Sequence, residues 1–109
     1  MSVYMYQASY SAGAMKSLID NPQDRSGMVR SLIEGNGGKL LGAWMAFGEN
    51  DIVVIAELPD DESMAAVAMA VSSTGAIVNG KSTQLLSMDQ AVAAMTKAQA
   101  VAQAYSPPS

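Results

Sequence analysis

Three consecutive polar residues, Glu49, Asn50 and Asp51, lie between two apolar segments that each have the length of one β-strand. If this turn lies at the mouth of a pocket, its carboxylates can act as a general base or as oxygen ligands. The alternative is structural, because Asn and Asp side chains stabilise turns by hydrogen bonding to nearby backbone. All three are candidate ligand-binding residues, with turn formation as the competing explanation.

Three aromatic residues, Tyr4, Tyr6 and Trp44, lie on segments that have the pattern of strands. If the Tyr4 and Tyr6 face and the Trp44 face form the inside of one barrel, they line an apolar cleft with a few polar tips, as in small-molecule pockets. The alternative is that these rings pack in the core or in a subunit interface. We add them to the candidate ligand-binding residues, and no pattern identifies a catalytic residue.

The amino-acid composition excludes several kinds of site. The chain has no His and no Cys, which removes the commonest catalytic base, histidine haem ligation, thiolate nucleophiles and sulfur-rich metal sites. Its net charge is −4 and its few cations are dispersed, so it lacks the basic cluster that nucleic-acid binding requires. The methionines are scattered and predict core packing. We therefore expect no metal, no cofactor and no nucleic-acid partner.

Length and hydropathy predict one soluble domain. A single hydrophobic core suffices for 109 residues, and we assign residues 1–105 to it and residues 106–109 to a disordered tail. No apolar segment approaches the roughly 20 residues that cross a bilayer, and the first residues lack the basic start of a signal peptide. The expectation is a cytoplasmic protein with no membrane partner.

The first half of the chain predicts a strand followed by helices. Val3 to Tyr10 alternates as a strand does. Ser11 is placed to cap a short helix, and a main helix is predicted from about Pro22 to Glu34, ended by Gly37-Gly38.

The hairpin that follows has two apolar faces. Its strands are predicted over Leu40 to Phe47 and Ile52 to Leu58. Strict alternation places Leu40, Gly42, Trp44 and Ala46 on one face and the intervening residues on the other. An antiparallel sheet with one wet face alternates between apolar and polar residues. We therefore expect helices to cover one face and a second subunit to cover the other.

The second half predicts a helix, a strand and a final helix. Asp60 is placed to cap the first helix, and Gly75 to end it. Ala76 to Ser87 has the pattern of a strand in which Asn79-Gly80 is either a bulge or a hairpin turn. The last helix, about Met88 to Gln103, either packs on its own domain or docks on a neighbouring subunit. The order is β-α-β-β-α-β plus a helix, which predicts an α+β, ferredoxin-like antiparallel sheet with helices on one face, dimerising into an α/β barrel.

Several segments resemble the GYD-domain family. They are Gly37-Gly38-Lys39, the segment GENDIVVI from Gly48 to Ile55, Pro59-Asp60-Asp61-Glu62 with its Ala-rich helix ending at Gly75, and Gly13, Lys16, Pro22 and Arg25 of the first helical region. The resemblance covers residues 3–92, with Asn50 where the naming motif of the family has tyrosine. It implies a small bacterial protein of the dimeric α/β-barrel kind, and it implies no particular activity.

We predict an oligomeric protein, a homodimer or higher, that binds a small apolar or aromatic ligand in the barrel formed between sheets. One alternative is a cofactor-independent monooxygenase or isomerase, an analogy with related barrel families that requires an ionisable residue in the pocket. The other is a structural or partner-binding module that uses the C-terminal helix and has a filled barrel.

Overall fold

The computed structural model describes residues 1–109. In chain order the elements are β1 (Ser2–Tyr10), α1 (Ala12–Asp20), α2 (Ser26–Gly35), β2 (Lys39–Met45), β3 (Ile52–Leu58), α3 (Asp61–Ser73), β4 (Ile77–Leu85) and α4 (Met88–Ala104). The strands form one antiparallel sheet in the order β2-β3-β1-β4. This is the predicted α+β, ferredoxin-like arrangement with an additional C-terminal helix.

The core lies between one face of the sheet and the helices. Alternate residues of β1 and β3 point towards the helices, and six buried side chains form the central cluster: Tyr4, Ile33, Val54, Ala56, Leu58 and Met64. The opposite face, hereafter the open face, carries Val3, Met5, Val53 and Ile55, which are half-buried. No helix of this chain packs on the open face.

The helix α2 begins at Ser26, later than the predicted start at Pro22. The reason is a local turn in which the Asp24 carboxylate accepts hydrogen bonds from the Ser26 amide at 2.8 Å and the Ser26 hydroxyl at 2.6 Å. Arg25 takes the N-cap position, and its side chain makes no capping hydrogen bond. Ser11 caps α1 as predicted, through its hydroxyl and the Ala14 amide.

A β-bulge in β2 changes which residues share a face. The register with β3 shifts between Leu40 and Gly42, so Leu41 is an extra residue in the ladder. Leu40 therefore faces the helices together with Ala43, whereas Trp44 lies on the open face. Strict alternation was wrong in grouping Leu40 with Trp44, because a bulge reverses the alternation along the strand.

The segment Asn79-Gly80 is a bulge and not a hairpin turn. The register of β4 against β1 shifts at this point, and Asn79 has a positive φ of 55°, a conformation that asparagine tolerates better than most residues. The strand continues beyond the bulge to Leu85.

The helix α4 projects from the rest of the domain. Ser87 and Gln90 form the predicted capping box at its start. None of its residues is buried and only Ala91 is half-buried, so the hypothesis that α4 packs on its own domain is wrong. The radius of gyration, 17.6 Å, exceeds the roughly 13 Å expected of a compact domain of this length. None of the helices combines the length and the hydropathy needed to cross a bilayer.

Candidate functional site

An apolar cavity of about 550 Å³ lies between the sheet and the helices α1, α2 and α3. Of its 23 lining residues, 19 are hydrophobic, and only 7 residues of the chain are buried. Much of the apolar surface between the two layers therefore faces an unfilled space, although protein interiors are normally close-packed. The volume lies in the range of small-molecule pockets, about 300–1,000 Å³.

The small side chains of α3 explain why this space is not filled. The sheet contributes Tyr4, Tyr6 and Val54 as the floor of the cavity, and α3 covers it with Val67 and Ala68. An alanine occupies far less of the interlayer space than a leucine at the same position. An Ala-rich helix over the sheet therefore leaves room between the layers.

Four residues of the lining are polar: Ser17, Gln23, Arg25 and Thr74. The Ser17 and Thr74 hydroxyls donate hydrogen bonds to backbone carbonyls of their own helices, at 3.1 and 2.9 Å. The Arg25 guanidinium donates to the Gln23 side-chain oxygen at 3.2 Å. No acidic residue lines the cavity, so Arg25 carries the only formal charge of its lining.

Tyr4 is buried at the floor of the cavity, and its hydroxyl donates a hydrogen bond of 2.5 Å to the Asp61 carboxylate. This hydrogen bond, reinforced by burial and by the negative charge of Asp61, raises the pKa of the Tyr4 phenol. Tyr4 therefore stays protonated and holds the start of α3 against β1.

Tyr6 also lines the cavity, but its hydroxyl has a different environment. The hydroxyl is buried and has no hydrogen-bond partner in the protein, an arrangement that typically costs about 1–3 kcal/mol. Its ring reaches across the bulge of β4, where a side chain at Gly80 would collide with the hydroxyl. Tyr6 thus lines the cavity, while its unpartnered hydroxyl is buried against the bulge of β4.

Tyr10 also lines the cavity, although it was not among the predicted site residues. Burial raises the pKa of its phenol, Arg25 lowers it, and Asp51 raises it. Together with Gln23 and Arg25, Tyr10 also borders a smaller adjacent depression of about 190 Å³. The strand alternation that selected Tyr4 and Tyr6 places Tyr10 on the same face, so this pattern was the available signal.

Trp44 does not share a cleft with Tyr4 and Tyr6, as the barrel hypothesis required. It lies on the open face, is 56% exposed, and its ring lies over Gly42. It borders the smaller depression and does not line the cavity. The hypothesis failed because Tyr4 and Tyr6 face the helices of their own chain.

The polar turn Glu49, Asn50 and Asp51 does not line the cavity. Asp51 instead holds the end of β1: its carboxylate accepts a hydrogen bond from the Tyr10 amide at 3.0 Å, and its own amide donates to the Ala8 carbonyl at 2.9 Å. The turn explanation therefore accounts for Asp51. Ligand contact by any of the six candidate residues stays a prediction. No three acidic side chains lie close enough together to hold a metal ion.

Comparison with known proteins identifies the family of the chain. In fold it is similar to MtbAldR (Rv2779c), whose crystal structure matches with a TM-score of 0.51 and 17% sequence identity, over 79% of this chain and 52% of that one. The chain thus spans about half the length of MtbAldR, and the likeness is one of fold. No curated protein sequence matches. The GYD domain matches residues 4–95, which is most of the chain. This protein therefore belongs to the GYD domain family.

Proposed function

We propose that this GYD domain protein binds a small apolar molecule in the cavity between its sheet and its helices. The observation that carries the proposal is the 550 Å³ cavity with its predominantly hydrophobic lining. The sequence predicted a ligand between two sheets, and the proposed position is instead on the helix side of one sheet. The proposed ligand position differs because Tyr4 and Tyr6 point towards the helices of their own chain.

The physical argument is that a ligand would supply the packing that this core lacks. Apolar cavities do not hold water well and bind apolar molecules instead. Each Å² of apolar surface removed from water contributes about 25 cal/mol. A ligand that contacts side chains on both layers would therefore stabilise the fold and join the helices to the sheet.

The polar groups of the lining favour binding over catalysis. The oxygenase or isomerase hypothesis requires an ionisable residue that accepts a proton inside the pocket. The Tyr4 and Tyr10 phenols line the cavity, and both have raised pKa values, so both are protonated and are poor bases near neutral pH. The carboxylates of Glu49 and Asp51 lie outside the lining.

The test is a fluorescence titration with N-phenyl-1-naphthylamine, a neutral apolar probe. We expect saturable binding to the wild type and weaker binding as Ala68 is enlarged to Leu and then to Trp, because Ala68 lines the cavity. Ala66, exposed on the same helix, provides matched controls, Ala66→Leu and Ala66→Trp, that should bind as the wild type does. Equal affinities across the folded Ala68 series, or no binding to the wild type, would refute the proposal.

We also propose that a second copy of the chain covers the open face. The support is that two apolar surfaces lack cover within one chain: the open face with Trp44, and α4 with its exposed Met88, Val92 and Met95. A homodimer buries both if each α4 reaches the partner. Light scattering at micromolar concentration should give a dimer or larger species, and deletion of residues 88–109 should weaken it. A monomer for the full chain would contradict this proposal.

A further inference from the structure

We infer that the ligand of the cavity is an amphiphile with an anionic head, of the class of aliphatic monocarboxylates, and that Arg25 binds the carboxylate. The inference rests on the proposed function and names the chemistry of the ligand. Its basis is the unequal distribution of polarity around the cavity: a hydrophobic lining with one formal charge, at Arg25.

The Arg25 side chain has no acidic partner. The only ion pair of the chain joins Lys16 and Asp20. Neither Asp24 nor Asp51 forms an ion pair with Arg25: the Asp24 carboxylate accepts hydrogen bonds from Ser26, and the Asp51 carboxylate accepts one from the Tyr10 amide. Arg25 donates one hydrogen bond, to the neutral Gln23 side chain. Because guanidinium groups carry several donors in a fixed plane, most of its donors remain for an external acceptor.

The position of Arg25 matches the end of an elongated ligand. Arg25 and Gln23 belong to the segment between α1 and α2, and both border the large cavity and the smaller depression beside it. Tyr10 borders both as well, and its raised pKa keeps the phenol a hydrogen-bond donor. A carboxylate on the cavity side of this rim would meet a cation and a phenol, while its alkyl chain would extend between the layers towards Val67 and Ala68. The acidic residue Asp24 borders the smaller depression but does not line the cavity.

The alternative heads fit less well. A cationic head would be repelled by Arg25 and would find no acidic residue in the lining of the cavity. A neutral hydroxyl would form a weaker hydrogen bond with Arg25 than a carboxylate would, because charge-assisted hydrogen bonds are roughly twice as strong as neutral ones. The Arg25 side chain makes no capping hydrogen bond to α2, so binding a ligand would not break a bond that caps this helix.

Competition titrations with decanoate, decanol and decylamine against N-phenyl-1-naphthylamine test the inference. We expect decanoate to bind up to about fivefold more tightly than decanol, because Arg25 is exposed and ion pairs at exposed sites are weak, and decylamine to bind more weakly than either. Arg25→Gln should remove the preference for the acid and leave decanol unchanged. Arg30→Gln, which removes an exposed arginine of α2 outside the lining, is the matched control and should retain the preference.

The outcomes separate the inference from the proposed function. If the neutral probe and decanol bind but decanoate is not preferred, or if Arg25→Gln retains the preference, the anionic-head inference is wrong and the apolar cavity site stands. If Arg30→Gln abolishes the preference as fully as Arg25→Gln does, the effect is one of net charge and the inference is wrong. If neither the probe nor any of the three compounds binds, both proposals fail.

Discussion

Enlarging Ala68 to leucine should raise the stability of the protein, although such a change usually destabilises a core. Ala68 is half-buried, packs against the core cluster and lines the cavity. The substitution adds about three methylene-sized groups, each contributing about 0.8 kcal/mol when buried. Ordering a leucine side chain costs about 0.5–1 kcal/mol. The free energy of unfolding should therefore rise by about 1–2 kcal/mol.

In a close-packed interior the same change would force side chains out of their preferred rotamers and cost about 1–3 kcal/mol. The sign of the effect therefore distinguishes an unfilled cavity from a filled one. The assay is urea unfolding of the unliganded protein, with a fixed chain concentration because self-association also changes apparent stability. For a domain of this size, a gain of 1 kcal/mol raises the Tm by roughly 4 °C.

The matched control is Ala66→Leu on the exposed side of α3, which should change the free energy of unfolding by less than about 0.5 kcal/mol. A loss of stability in Ala68→Leu with no change in Ala66→Leu would show that the layers are already in contact. That result would refute the cavity itself and, with it, the argument for a ligand.

Two further predictions concern backbone packing and pH. Gly38→Ala should destabilise the fold by about 1–3 kcal/mol, because its new Cβ would collide with the Glu57 carbonyl and with Leu58. The control Gly35→Ala, whose Cβ meets no atom within 4 Å, should be neutral or mildly stabilising in urea unfolding. Equal losses of stability in the two variants would contradict the steric argument. The raised pKa of Tyr4 means that the folded chain holds the phenolic proton more tightly than the unfolded chain does, so this stabilisation is present below about pH 10 and is lost as the pH rises through the folded value. Tyr4→Phe should therefore reduce the loss of stability at alkaline pH, measured by denaturant midpoints, whereas Tyr105→Phe at the exposed end of the chain should not.

The periodicity of the sequence was sufficient to predict most of the helices and strands. Capping at Ser11, Asp60 and Ser87 follows from side-chain oxygens placed before apolar helical segments, and these bonds are local. The start of α2 was missed because Pro22 suits the first turn of a helix. The hydrogen bonds from Ser26 to the Asp24 carboxylate instead form a turn before the helix, which therefore begins at Ser26.

The candidate site was less predictable, because it depends on which face of the sheet the helices cover. Alternation groups Tyr4 with Tyr6 but does not say whether that face meets the helices of the same chain or a partner. The single extra residue of the bulge, Leu41, then places Leu40 and Trp44 on opposite faces of the sheet, although strict alternation places them on the same face. Faces of different strands can be matched only when the register is known.

The sequence by itself determined the strand and helix content, the ferredoxin-like order and the membership of the GYD domain family. Those properties depend on local spacing, which a chain carries in its own order of residues. Only the tertiary structure decided that Tyr4, Tyr6 and Tyr10 share a cavity with Arg25, and that Asp51 binds the end of β1 and lies outside the lining of that cavity. The reason is that these relations join segments distant in sequence, and their geometry depends on register, bulges and the small volume of the helix that covers them.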